Sequence, residues 1–102
     1  MKIISKNQLQ HIQLESKSSG EIYSQSQMVS ELLGSEQIFA HHDIIAPGRR
    51  SSGAHRHSTV EEIIFIVKGV ATVVCQGIET SVSEGTFVLF GPKEKEFHYL
   101  AN

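Results

Sequence analysis

The chain has no tryptophan, one cysteine, two prolines and no marked excess of charge of either sign. Lys and Arg number 9 and Asp and Glu 11, so the formal net charge is -2, which excludes the basic surface that nucleic acid or an anionic membrane requires. The single cysteine, Cys75, excludes an internal disulfide and favours a reducing compartment. The sequence also lacks a run of about 18 apolar residues and the long apolar core of a signal peptide. These absences predict a soluble cytoplasmic protein.

At 102 residues the chain predicts a single domain, too short for separate cofactor and substrate domains. We divide it into residues 1–35, a Ser- and Gln-rich segment that is irregular or weakly helical and packs on the body, and residues 36–102, the body itself. Apolar residues at Met28, Val29, Leu32 and Leu33, with Gly34 as a left-handed stop, predict a helix of one or two turns. An irregular segment that packs two apolar pairs explains the same pattern equally well.

From residue 36 onward, short β-prone runs alternate with turn residues. The runs cover residues 38–46, 60–67, 70–75, 78–82, 86–90 and 97–100. Six such runs without intervening helices favour an all-β sandwich or barrel and exclude a parallel βαβ fold. Gln76 and Gly77 predict a tight turn, and Lys93, Glu94 and Lys95 predict a charged one.

Six histidines are unusual in so short a chain. His55 and His57 are two residues apart, so on an extended strand both project from one face. A turn after them would let Glu62 point into the same space, where a divalent metal compensates a buried carboxylate. His98 is a candidate fourth ligand. Each residue also has a structural explanation: two surface histidines, an exposed strand glutamate like the neighbouring Glu61, and a histidine at the rim.

The spacing of these residues resembles the cupin superfamily of small β-barrels. The first family motif contains His-x-His, three or four residues, Glu, six residues and Gly. This chain has His55-Arg56-His57, four residues, Glu62, six residues and Gly69. The second motif ends in His, three residues and Asn, which His98 and Asn102 match. The loop spacings around Gly48 and Pro92 depart from the family pattern, and the resemblance covers roughly residues 44–102.

The resemblance implies a double-stranded β-helix (jelly-roll) barrel that holds one divalent transition metal, Fe, Mn, Ni, Cu or Zn. The implied ligands are His55, His57, Glu62 and His98. Similar cupins usually continue for one or two more strands. We therefore expect a barrel that is open at one edge, or is closed by the N-terminal segment or by a partner subunit.

Two classes of function follow from the resemblance. The first is a small metal-dependent enzyme with dioxygenase-, isomerase- or decarboxylase-type chemistry on a small molecule, because four protein ligands leave two octahedral positions open. The second is a non-catalytic module that binds or senses a small ligand. We rank the enzyme slightly above the binder, and both above a metal-free barrel, which would leave Glu62 buried and unpaired.

Arg49 and Arg50, in the loop before the first motif, are candidate substrate-binding residues that would hold an anionic group at the barrel mouth. The alternative is that both arginines are solvated side chains of a surface loop with no role in binding. His41 and His42 are adjacent on a strand, so one of them faces inward, either as an acid or base near the metal or as a rim residue bonded to the backbone.

The strand that begins near Glu62 is apolar on both faces, so we expect both faces to be covered. Ile63, Phe65 and Val67 share the outer face. A sheet of this size would expose them, and we therefore predict a homodimer that buries this face.

Overall fold

The computed structural model describes residues 1–92 and 97–102. The elements are a 3-10 helix (Lys6–Gln8), β1 (Ile12–Glu15), β2 (Ile22–Met28), α1 (Val29–Leu33), β3 (His41–Ile44), β4 (Glu62–Phe65), β5 (Val70–Cys75), β6 (Ile78–Ser83), β7 (Phe87–Phe90) and β8 (His98–Ala101). All strand pairs are antiparallel. The predicted all-β jelly-roll architecture is confirmed.

The strands form three sheets, in the orders β1-β2-β3, β4-β7 and β6-β5-β8. Isolated bridges from Arg50 to Ala101 and from His55 to His98 attach the segment before β4 to β8. A hairpin joins β5 to β6 through Gln76 and Gly77, whose φ angles are 55° and 72°. Two consecutive positive φ angles give a two-residue hairpin the twist that matches its strands, which is the tight turn the sequence predicts.

The last six strands lie within the six predicted runs or extend one residue past them. The predicted helix is present as α1, and Gly34 ends it with a φ of 70°. The N-terminal segment differs from the expectation of irregular or weakly helical structure, because β1 and β2 also lie in it. Their Ser- and Gln-rich sequence carries little β propensity, and pairing of β2 with β3 supplies the order that propensity does not. The division at residue 35 stays a prediction, and the charged turn predicted at Lys93, Glu94 and Lys95 lies outside the described residues.

The apolar core is small. Among the described residues, the buried hydrophobic side chains are Ile66, Val73, Phe90 and Leu100. Partly buried residues surround them, and Cys75 is one of these, packed as a small hydrophobic side chain. The core lies directly against the histidine cluster, because His98 and Leu100 share one face of β8.

The outer face of the β4-β7 sheet is apolar and exposed. Ile63 pairs with Leu89 and Phe65 pairs with Phe87, and these four side chains are 47–71% exposed. Val67 continues the patch at 60% exposure. The expectation that β4 is covered on both faces is therefore wrong within one chain: only its inner face is covered.

Over residues 1–92 and 97–102, no helix is both long enough and apolar enough to cross a membrane.

Candidate metal centre

The four candidate ligands come from two parts of the chain that β8 brings together. His55 and His98 exchange two backbone hydrogen bonds: the His55 N–H donates to the His98 carbonyl at 3.1 Å, and the His98 N–H donates to the His55 carbonyl at 2.8 Å. Glu62 is the first residue of β4, paired with Phe90 at the end of β7. His57 lies outside a strand, yet its ring centroid is 5.1 Å from that of His55. The sequence expectation that both rings project to one place therefore holds without an extended strand.

Three imidazole nitrogens converge on one carboxylate. Nε2 of His57 lies 2.6 Å from Glu62 Oε2, and Nε2 of His55 lies 3.8 Å from the same oxygen. Nε2 of His98 lies 3.7 Å from Glu62 Oε1. One ligand atom from each of the four residues lies within 4.8 Å of the others.

The tautomer of His55 is set by its neighbours. Its Nδ1 lies 3.0 Å from Ser52 Oγ and 3.1 Å from the Gly53 carbonyl oxygen, and the Ser52 hydroxyl itself donates to that carbonyl. Both oxygens therefore accept a hydrogen bond from the Nδ1–H group, so Nδ1 carries the hydrogen and Nε2 keeps its lone pair. This is how metal-ligating histidines are usually oriented.

The cluster has a buried back and an open front. The His98 side chain is 1% exposed, whereas those of His55, His57 and Glu62 are 38%, 32% and 26% exposed. Phe90 forms the back wall, with its ring stacked on His98 at a centroid distance of 3.6 Å and an interplanar angle of 2°. A small molecule can therefore approach from the side of His55 and His57.

The donor set and its spacing fit a divalent transition metal. Two ligand atoms at about 2.1 Å from one cation and at right angles to each other are about 3 Å apart, close to the spacings between Glu62 and the three nitrogens. Three imidazoles and one carboxylate suit Fe, Mn, Ni, Cu or Zn. The single negative charge of Glu62 would also neutralise part of the charge of such a cation.

A second histidine–carboxylate pair lies on β3. His41 Nδ1 is 2.9 Å from Asp43 Oδ1. The hydrogen bond to Asp43 raises the pKa of His41 more than burial lowers it. His42 points to the opposite face, where its Nδ1 lies 2.7 Å from Nε2 of His11, and burial together with the charge of His11 lowers its pKa. The sequence pattern does not decide which of the two histidines faces inward, and Asp43 is not among the residues predicted from it. The His-x-Asp spacing, which places both residues on one strand face, is the signal that could have found the pair.

Arg50 is held by an acidic side chain and two aromatic rings. It donates to Glu21 from Nε at 2.6 Å and from Nη2 at 3.2 Å, and its guanidinium lies over Tyr23 and Tyr99 at 5.6 and 5.0 Å. This hydrogen bond lowers the pKa of Glu21. Arg49 lines a surface depression of about 320 Å³ shared with side chains of β1, β2 and β3. A role of Arg49 and Arg50 in substrate binding stays a prediction.

The fold is shared with a solved structure. It is the crystal structure of a protein from Acidithiobacillus ferrooxidans ATCC 23270 described as a "Putative sugar phosphate isomerase", with a TM-score of 0.80 and 20% sequence identity. The match covers 98% of this chain and 65% of the other, so this chain spans a little less than two thirds of that protein's length. At this identity the likeness concerns the fold alone. No curated protein matches the sequence.

The family model of the Cupin domain matches residues 41–102, which is more than half of the chain. This stretch contains all four residues of the cluster, together with His41 and Asp43. The chain therefore belongs to the cupin family.

Proposed function

We propose that this protein is a small metal-dependent enzyme whose metal is held by His55, His57, Glu62 and His98. The observation that carries the proposal is the convergence of three Nε2 atoms and one carboxylate within 4.8 Å, with one side open to solvent. The bound cation is one divalent transition metal of the group Fe, Mn, Ni, Cu or Zn. It would supply Lewis-acid polarisation of an oxygen atom of a small-molecule substrate.

The residues of the chain orient this chemistry. Ser52 and Gly53 fix the His55 ring, and the stack with Phe90 fixes His98, so two ligands are held in place before a cation binds. Isomerase-, decarboxylase- and dioxygenase-type reactions all fit a site with open coordination positions. The name of the Acidithiobacillus ferrooxidans protein supports the isomerase class for a first screen.

A second candidate function is a non-catalytic module that binds or senses a small ligand. The open front of the cluster favours it, because three of the four side chains remain 26–38% exposed and water has access to them. An enzyme that protects reactive species excludes water from its site. A sensor has no such need.

Metal content and turnover together test these proposals. The purified protein should hold about one equivalent of transition metal, because three imidazoles and one carboxylate converge there with the spacing that such a cation needs. Glu62→Gln keeps the size of the side chain but removes its charge, so it should weaken metal binding and abolish turnover. The matched control is His11→Gln, which changes a histidine outside the cluster.

The substrate screen covers small diketones, thiols, catechol-like acids and sugar phosphates, with oxygen uptake and product mass as readouts. A folded protein that takes up none of the five metals contradicts both functions. Metal uptake and tight ligand binding without turnover favour the sensor over the enzyme. Arg49→Ala and Arg50→Ala should raise KM for an anionic substrate with little change in kcat.

We further propose that the chain is a cytoplasmic homodimer, with a second copy covering the outer face of the β4-β7 sheet. On this face, the residues that β4 and β7 contribute are Ile63, Phe65, Phe87 and Leu89, all of which are apolar. Its exposed area is on the order of 500 Å², which is a large part of the roughly 800 Å² that each partner buries in a standard interface. The single cysteine supports a reducing compartment.

A further inference from the structure

The inner face of the β2-β3 pair is polar, and its Ser24 donates a hydrogen bond to the Ser51 carbonyl in the loop that precedes the metal ligands. Ser26 is paired with Asp43 and Met28 with His41, so strand alternation places Ser24, Ser26, His41 and Asp43 on one face. Ser24 is fully buried, which marks this face as the interior one. Polar side chains on an interior face need hydrogen-bond partners, and here they provide them for one another.

The position of Asp43 is fixed by a hydrogen bond from Ser24 on the neighbouring strand. Ser24 Oγ lies 3.4 Å from Asp43 Oδ2 and 3.0 Å from the Ser51 carbonyl oxygen, so Ser24 connects β3 to the loop that precedes the metal ligands. Burial raises the pKa of Asp43, but the hydrogen bonds from His41, Ser26 and Ser24, with the charge of His41, outweigh it, and the net effect lowers the pKa. Asp43 is therefore a carboxylate at neutral pH, placed to accept a hydrogen bond from the Nδ1–H of His41.

The carboxylate determines which nitrogen of His41 can react. Nδ1 donates to Asp43, and among the described residues the polar contacts of this ring are made through Nδ1. Nε2 is therefore the atom that gains or loses a proton. The side chain is 51% exposed, so a small molecule can reach it.

His41 also lies within the electrostatic influence of the cluster. After the hydrogen bond and charge of Asp43, the charge of Glu62 is a further cause that raises the pKa of His41. Within the described part of the chain, Asp43 on its own strand and Glu62 on β4 are thus the charged groups that raise its pKa. His42, one residue along, points to the other face and pairs with His11.

We propose that His41 is the proton-exchanging residue of this site and that Asp43 is its positioning residue. This rests on the proposed enzymatic function and narrows it to reactions that move a proton, of the isomerase or decarboxylase type. In one direction, a C–H or O–H proton of the bound molecule moves to Nε2 and leaves its electron pair on the molecule. The imidazolium that forms is balanced by Asp43. In the other direction, the same proton returns to the molecule and neutral imidazole is restored.

The test compares His41→Gln and Asp43→Asn with the control His42→Gln, all in the zinc-loaded protein. Fructose 6-phosphate and the other sugar phosphates of the screen are incubated in D2O, and deuterium bound to carbon is measured by mass spectrometry. His41→Gln should reduce incorporation by roughly 10²–10⁴-fold, the usual contribution of a general acid or base. The control should retain wild-type incorporation. Metal content should be equal in all four proteins.

A second readout does not depend on turnover. ¹⁵N NMR of the histidine rings should show His41 titrating at Nε2 above the ordinary value of 6.5, and Asp43→Asn should lower that midpoint. Adding fructose 6-phosphate to the wild type should shift the Nε2 resonance of His41. Asp43→Asn should also move the corresponding limb of the pH–rate profile, which a purely structural role would leave in place.

Three results would each overturn the proposal. The first is full incorporation by His41→Gln, and the second is a His41 Nε2 resonance that no compound of the screen affects. The third is a wild type that incorporates no deuterium from any sugar phosphate. The metal content of the purified protein tests the proposed metal site independently of these results.

Discussion

His98 and Phe90 are stacked almost in parallel, with ring centroids 3.6 Å apart and an interplanar angle of 2°. This contact joins the apolar core to the histidine cluster, because Phe90 is one of the four buried hydrophobic residues among those described. It also gives the most buried candidate ligand a fixed plane, with Nε2 directed towards Glu62 at 3.7 Å. The fold and the site are therefore coupled through one pair of rings.

Phe90→Ala should reduce both stability and metal affinity. Removing a buried phenylalanine costs about 3–5 kcal/mol in free energy of unfolding, because a cavity replaces its packing. Chemical denaturation of the metal-free protein measures that loss. Phe90→Leu keeps most of the apolar volume but not the stack, so it should lower metal affinity with a smaller loss of stability. Equal metal affinity in Phe90→Leu and wild type would contradict a role of the stack in orienting His98.

Ser52→Ala should weaken metal binding without unfolding the chain. The Ser52 hydroxyl is one of two acceptors that hold the hydrogen on Nδ1 of His55, and the Gly53 carbonyl remains in the variant. Loss of a residue that orients a ligand typically lowers metal affinity by about 10-fold or more. Competition with a chelator measures this affinity, with Ser19→Ala, in an exposed turn remote in sequence, as the control. An unchanged affinity would mean that Gly53 alone fixes the ring.

Metal affinity should fall as the pH decreases through roughly 6, because imidazole binds a cation only in its neutral form and protons compete for the same lone pairs. Isothermal titration with zinc between pH 5 and pH 8, or the same range followed by chelator competition, checks the trend. Release of protons on binding should accompany it. An affinity that does not change over this range would exclude histidine as the main ligand type.

The His41–Asp43 pair should give stability a defined pH dependence. The folded pKa of His41 lies above 6.5, so its contribution is fully present below pH 6.5 and is lost as the pH rises through the folded value. The folded pKa of Asp43 lies below 3.8, so its contribution is present above pH 3.8 and is lost as the pH falls through the folded value. Urea unfolding of metal-free wild type and His41→Gln should therefore differ more at pH 5.5 than at pH 8.5. A difference that grows with pH would reverse the assignment.

The homodimer proposal is tested by a charge on the exposed sheet face. Leu89→Lys places an ammonium group between two copies, so it should convert a dimer to a monomer in analytical ultracentrifugation at tens of micromolar. Ile78→Lys, at an exposed apolar residue of β6, is the control and should leave the mass unchanged. A monomeric wild type would contradict the proposal.

The second half of the fold could be predicted because its sequence is locally consistent. The β-prone run of residues 70–75 is followed by the Gln76-Gly77 turn and by a second β-prone run. Strand propensity and turn residues therefore predict the same hairpin. β2 could not be predicted in this way. Its interior face carries Ser24 and Ser26, and a polar interior face gives no hydrophobic alternation to detect. β1 does alternate apolar with polar residues, but it has only four residues.

The candidate site, like the fold, has residues that the sequence predicts and contacts that it does not. His55, His57 and Glu62 could be grouped from the sequence because they are close along the chain and match the spacing of the first cupin motif. The link from Asp43 to Ser24 could not be found from spacing, since it depends on the register of β2 against β3. Side-chain partners across strands are fixed by register, which a single sequence does not specify when the strands are polar.

The small core has a consequence for the lifetime of the protein in a cell. Few of the described residues are fully buried and apolar, so ligation of a cation would contribute a large share of the folding free energy. At a free metal concentration 100 times the dissociation constant, binding adds about 2.7 kcal/mol. Proteases degrade chains from the open state, so metal starvation should shorten the half-life of this protein and lower its abundance.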